Sequence, residues 1–237
     1  MKQSKTPLFE RDFALVVAGQ IISLFGNAIL RFALPLYLLR QTGSPALLGA
    51  VGAAAFIPAV LCSPIGGVVA DRVNKQNIMA ALDFSTAGLT LAFTLLLGQT
   101  QLVPLIAAFL MLLYGIAGAY QPAVQASIPL LVRPERLTSA NAVINMVNTL
   151  AGLLGPAAGG MLFGAFGIRP ILWVSTACFF LSAVMELFIR IPHHPRPGAG
   201  GVLSTVAQDL GESWRFCRRE KPVFLSVMLV LGLFNLV

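Results

Sequence analysis

The sequence predicts an all-α membrane protein: a six-transmembrane-helix bundle built of two inverted three-helix repeats, followed by a truncated seventh span. Three observations carry that expectation. Hydrophobic residues make up 57% of the chain and charged residues 11%, with a mean hydropathy of +0.84. Soluble chains carry roughly a quarter charged residues, so lipid must be the solvent for most of this one. Six apolar runs reach the ~20 residues a helix needs to cross a bilayer, and the basic residues fall almost entirely on alternate connections between them.

The six spans are placed near Phe13–Leu39, Ala46–Ala70, Asn77–Gly98, Leu102–Ser127, Ser139–Phe166 and Pro170–Ile189. A further apolar run begins at Pro222 and reaches Val237, short of the ~20 residues needed to cross. The first run extends over ~27 residues, too long for the h-region of a cleaved signal peptide, which spans about 7–15. The chain therefore divides into a six-helix lobe (1–190), a loop (191–221) and the start of a seventh helix (222–237).

Orientation follows from the basic residues. Lys2, Lys5, Arg11, Arg72, Lys75, Arg133, Arg136, Arg190, Arg196, Arg215, Arg218, Arg219 and Lys221 all fall on one side, against Arg40 and Arg169 on the other. The positive-inside rule assigns the crowded side, with the amino terminus, to the cytoplasm, which predicts a multi-pass protein of the cell (inner) membrane. The same topology accounts for the net charge of +7 and pI near 9.9, so no nucleic-acid partner is expected. Within the loop, 191–201 is rich in Pro and Gly and predicted irregular. Leu203, Val206, Leu210, Trp214 and Cys217 then recur at helical spacing, which predicts an amphipathic helix along the membrane surface or under the bundle.

Several chemistries are not supported. Cys62, Cys178 and Cys217 form no framework or metal spacing. His193 and His194 are neighbours in a proline-rich loop without further ligands, so no metal site is expected. No span contains His and no phosphate-binding loop pattern occurs. Neither enzymatic activity nor a cofactor is predicted, and ATP-driven transport is unsupported.

The two triplets of spans share a punctuation mark. The second span ends SPIGGVVADRVN (63–74), and the fifth contains GPAAGGMLFGAFG (155–167). Each has Pro, a Gly-Gly pair and then a turn, but the turns face opposite sides of the membrane. That inversion is how secondary transporters are built, with the site between the repeats.

Polar residues inside the spans are spaced for one face. Gln20, Ser23, Asn27 and Arg31 recur along the first helix at steps of three and four, and Asn141, Asn145 and Asn148 do so along the fifth. Polar groups at this depth are costly against lipid, so both stripes are expected to face the bundle interior or a water-filled cavity. Gln20, Asn27, Arg31, Asn145 and Asn148 are the candidate substrate-cavity residues. Arg31 lies ~27 Å along its helix from the cytoplasmic end and ~12 Å from the other. Asp83 and Glu186 lie only ~6–9 Å from the cytoplasmic side, too shallow to pair with it, and are assigned structural roles near that rim, with a latch to the Asp71 loop as the alternative for Asp83. Arg31 then binds substrate, pairs with a further half of the protein, or extends outward to the headgroups. Gly155, Pro156, Gly159 and Gly160 kink the fifth helix and flatten one face for close packing.

Two motifs point to a family. GGVVADRVNK (66–75) resembles the signature loop between the second and third helices of the major facilitator superfamily: Gly67, Asp71, Arg72 and Lys75 match, while Asn74 replaces a glycine and Gln76 a basic residue. Asn tolerates the left-handed conformation, so the glycine's turn is expected to be kept. GPAAGG (155–160) resembles the core of the motif marking the superfamily's exporters, with Ala142 and Ala151 in place of upstream glycines. LRFALPLYLLRQTGSP (30–45) and YQPAVQASIPLLVRPERLTSAN (120–141) resemble the branch of macrolide and siderophore exporters. The resemblance runs from the first span to the last residue.

It implies gradient-driven efflux of a small amphiphilic compound by alternating access, with a coupling proton and with helices one and five lining the cavity. It assigns gating to Gly67, Asp71, Arg72 and Lys75, where the Asp and Arg latch onto a carboxy-terminal half. One departure is Met111, which stands four residues before Gly115 where many drug–proton antiporters keep an arginine; coupling through that arginine is not supported. With one lobe, the chain by itself is expected to be inactive: a fragment, a truncated gene product, or a half that pairs with a partner. The alternative is a six-helix membrane scaffold, or a remnant, that moves no substrate.

Overall fold

A computed structural model of the chain describes residues 10–191 together with Gln208, Gly211, Glu212 and Arg215; the side chain of Asp71 lies outside the described set. The residues form two compact units, Met1–Arg196 and Pro197–Val237. In the second, Gln208 Nε2 donates to Glu212 Oε1 at 3.0 Å. The expected amphipathic helix and seventh span otherwise lie outside the described residues, as do His193, His194 and Cys217.

Among the described residues the first unit is entirely helical: α1 (Arg11–Thr42), α2 (Pro45–Arg72), α3 (Lys75–Leu96), α4 (Leu102–Leu131), α5 (Leu137–Phe166) and α6 (Ile168–Leu187), with one 3₁₀ turn at Pro134–Arg136. All six α-helices are long and apolar enough to cross a membrane. The sequence sets their ends. Gly43 takes φ +63° and caps α1, its N–H donating to Leu39 O at 2.8 Å. Ser44 Oγ accepts from the Leu47 N–H, with Pro45 in the first turn of α2, where its missing N–H is harmless.

One turn differs from expectation. Asn74 does not adopt the left-handed conformation of the glycine it replaces; its φ is −59° and ψ 119°. Its side chain instead accepts from the Gln76 N–H at 3.0 Å and caps α3. An amide oxygen that can satisfy an orphan helix donor offers the chain a second way to turn, one that glycine lacks.

The helices pack in a regular set of pairs: α2 on α4, α1 on α5, α3 on α6, α1 on α6 and α3 on α4. Small residues make the closest crossings. A methyl on Gly66 would lie 2.5 Å from Ala119 Cα, and one on Gly118 2.6 Å from Ala59 O. Such approaches let backbones touch where there is no hydrophobic force between helices in lipid. Two clusters form the interior: Leu30, Leu34, Leu38, Ile106, Leu110, Leu113, Leu172 and Phe179 in one, and Phe13, Met79, Tyr120, Val124, Ile128 and Ile189 in the other. Val60, Leu153 and Met161 are each 70% exposed.

Candidate transport cavity

A cavity of about 550 Å³ lies between α1, α2, α4 and α5, within the usual range for small-molecule sites. Asn27 and Arg31 reach it from α1, Phe56 from α2, Tyr114 and Gln121 from α4, and Asn148 and Pro156 from α5. Arg31 is turned into this space. Its guanidinium carbon sits 3.8 Å from the centroid of the Tyr114 ring, a stacked cation–π contact. Phe56 packs edge-on against the same ring, with centroids 5.1 Å apart and planes at 74°. Asn148 Nδ2 donates to Ile144 O at 3.1 Å, so part of its polarity is met within its own helix.

The α1–α5 wall of the cavity is set by contacts of single atoms. A methyl added at Gly155 would overlap Ala28, one at Gly159 would lie 3.1 Å from Ile29 O, and one at Gly160 3.2 Å from the Phe32 ring. Pro156, on the turn between them, lines the cavity itself.

Two of the five candidate cavity residues are elsewhere. Asn145 is exposed, and Asn141 with it. Gln20 is fully buried and does not line the cavity. It shares the face of Asn27 and Arg31 but lies ~16 Å along the helix from Arg31 at 1.5 Å per residue, at a depth where the neighbouring helices close over α1. Helical spacing specifies a face; it does not specify whether the space opposite that face is filled.

At Gln20's depth lies a second polar region. Ser23 Oγ donates to Asp83 Oδ1 at 3.0 Å, linking α1 to α3. The Tyr120 hydroxyl donates to Glu186 Oε1, linking α4 to α6. Ser182 Oγ donates to Gly19 O at 3.0 Å, linking α6 to α1. All of these side chains are buried, and the second oxygens of both carboxyls have no hydrogen-bond partner among the described residues. Asp83 and Glu186 thus tie four helices together. Gln76 Nε2 adds a link from the start of α3 to Leu187 O at the end of α6, 2.8 Å long.

Of the gating candidates, Gly67 lies on α2 with Pro122 of α4 4.0 Å from where its Cβ would be. Arg72 ends α2 and Lys75 begins α3. Tyr114, Gln121 and Phe56 were not among the expected cavity residues. The signal for two of them was present: Tyr114 and Gln121 are seven residues apart and share a helix face, but α4 reads as so uniformly apolar that its two polar-tipped side chains stand out little.

The Major Facilitator Superfamily model matches residues 16–237. Macrolide efflux protein A of Streptococcus pyogenes is 26% identical over 181 residues, covering 76% of this chain and 45% of that protein. Multidrug resistance protein MdtG of Salmonella paratyphi C is 28% identical over 196 residues, covering 79% of this chain and 47% of its own. The chain thus spans about half the length of the curated relatives it matches. The crystal structure of the POT family transporter PepTSo superposes with a TM-score of 0.66 at 17% identity, over 81% of this chain and 40% of that one; at that identity the likeness is one of fold. A family match over nearly the whole length, on a bundle of six membrane-crossing helices, means that this chain belongs to the Major Facilitator Superfamily.

Proposed function

We propose that the chain is the amino-terminal lobe of a secondary efflux transporter, exporting a small amphiphilic compound by alternating access. The observation that carries this reading is the cavity: a cation and three amides among aromatic and small apolar side chains, at membrane depth. Polar groups held there against lipid are functional by default. Efflux is supported by the names of the relatives above, a macrolide efflux protein and a multidrug resistance protein.

The packing supports an inverted repeat. Exchanging α1 with α4, α2 with α5 and α3 with α6 turns the α2–α4 pair into α5–α1, and α1–α6 into α4–α3, and leaves α3–α6 unchanged. All the main helix pairs survive the exchange, as two equivalent triplets require. The amino terminus is cytoplasmic on the distribution of basic residues. Asp71 and Arg72, at the end of α2, form the latch to a second lobe. A proton gradient drives the cycle.

Alternating access needs two bundles rocking about a central site. The 237-residue chain in vesicles is therefore inactive, whereas cells carrying the full-length gene accumulate less of a fluorescent dye than cells without it. Uptake or efflux by the isolated chain, or unchanged dye levels across a broad panel, overturns this reading. Within the full-length protein, Asp71→Asn or Arg72→Gln slows turnover; a scaffold without substrate would be indifferent to both.

A further inference from the structure

We propose that the cavity takes an amphiphilic organic anion, with the acid group bound to Arg31. The inference rests on the reading of this cavity as the substrate site and specifies its ligand. Arg31 is the single ionisable side chain of full charge among the residues lining the cavity, and no carboxylate accompanies it there. The two buried acids are remote: Ser23, which binds Asp83, is eight residues before Arg31 on α1, or ~12 Å along the helix axis. Each of those acids already accepts a bond from a hydroxyl.

The guanidinium makes no hydrogen bond and no ion pair with any described residue, and its Nε is buried without a partner. What it does make is a stack. The guanidinium carbon sits 3.8 Å over the centre of the Tyr114 ring, and Phe56 braces the ring from the side. A stacked guanidinium keeps its five N–H groups in the plane, directed away from the ring and arranged for a bidentate oxyanion. The contact therefore fixes the cation's orientation while leaving its donors unspent. Amides from Asn27, Gln121 and Asn148 surround it, and Phe32, Phe56 and Pro156 supply an apolar surface beside it.

A partly buried cation without a counter-charge among the described residues is unfavourable, and an incoming anion relieves it while an incoming cation worsens it. Selection by charge thus favours acids such as carboxylates and sulfonates carrying an apolar body, and works against amines.

The test is equilibrium binding to the 237-residue chain in lipid nanodiscs, with empty discs as blank. Three fluorescent probes separate charge from apolarity: 8-anilino-1-naphthalenesulfonate, its uncharged counterpart N-phenyl-1-naphthylamine, and the cation ethidium. The sulfonate is expected to bind saturably, at least about tenfold tighter than either other probe, as a charge-assisted bidentate contact of ~1.5–3 kcal/mol implies. Arg31→Gln should weaken the sulfonate about tenfold and leave the uncharged probe unchanged, while Arg31→Lys, which keeps the charge but loses the fork, retains only part of the preference. Where Arg31→Gln fails to fold, the ranking of the three probes on the unaltered chain decides. No saturable sulfonate binding, or ethidium binding as tightly, overturns the proposal. Dye export by the full-length protein with ethidium as a good substrate would sink the anion assignment and leave the transporter reading standing; sulfonate binding without export would do the reverse.

Discussion

Two polar regions lie along the same face of α1, about two turns apart, and they have opposite characters. Around Gln20 and Ser23 the helices close: two acids are buried, each receives a hydroxyl hydrogen bond, and the bonds run between helices. Around Asn27 and Arg31 the helices part into a cavity, the charge is positive, and the cation lies over an aromatic ring without an acidic partner among the described residues. The first arrangement ties its helices together with one hydroxyl bond per acid and buries what is left over, the Gln20 amide and the second oxygen of each carboxyl, without a partner among the described residues. The second turns its cation into open space. The difference teaches that an intramembrane charge is not enough to mark a binding site; what marks it is a charge whose donors are directed into space.

Substitutions can break or sharpen that contrast. The largest expected effect is at the closed region: Glu186→Ala leaves the Tyr120 hydroxyl buried without its acceptor and opens a void, destabilising the lobe by ~3 kcal/mol. Glu186→Gln keeps an acceptor and should recover most of that loss in thermal unfolding of the detergent-solubilised chain. Equal losses would mean that the carboxyl matters for its charge and not for tying α4 to α6. Gly66→Val comes next, because its Cβ would enter the backbone of Ala119; separating α2 from α4 should cost about 1–3 kcal/mol, as overpacked cores do.

Smaller effects fall on the cavity and the helix ends. Asn74→Ala should cost ~1 kcal/mol through the lost α3 cap, and Asn74→Gly only a few tenths. A left-handed turn at 74 in solution would instead make glycine stabilising. Gly152 lines the cavity and has no atom within 4 Å of where its Cβ would be. Gly152→Ala should leave the unfolding temperature unchanged or raised, by up to ~1 kcal/mol of helix propensity, while weakening sulfonate binding. Arg31→Gln should have the smallest effect on stability, within ~1 kcal/mol of zero, because the lost contact with the Tyr114 ring is offset by removing a charge that no described acid pairs with. A large loss of stability there would show that Arg31 belongs with the structural region after all.

Much of this fold is legible in single helices. Spans about 20 residues long, the breaks at Gly43 and Gly167, and the polar stripe on α1 all follow from local composition and a period of 3.6 residues. The site is legible only in part. Asn27, Arg31 and Asn148 line the cavity as their spacing suggests, but Gln20 is sealed and Asn145 is exposed. Tyr114 is not legible in the sequence because an aromatic residue in an apolar span has no periodic signature of its own; only the fold lays Arg31 over its ring. Asn74 shows the converse, a residue whose side chain offers two ways of turning the chain and whose neighbours select one.

By itself, the sequence determined that six helices cross a membrane and which face of α1 is polar, since hydropathy and periodicity are properties of one segment at a time. Tertiary structure alone decided at which depth that face is sealed and at which it opens. Closure depends on which neighbouring helices meet at that depth, as α1 meets α6 where a Cβ on Gly19 would lie 3.3 Å from Ser182 Oγ, and that is settled by atoms far apart in the chain meeting at van der Waals distance.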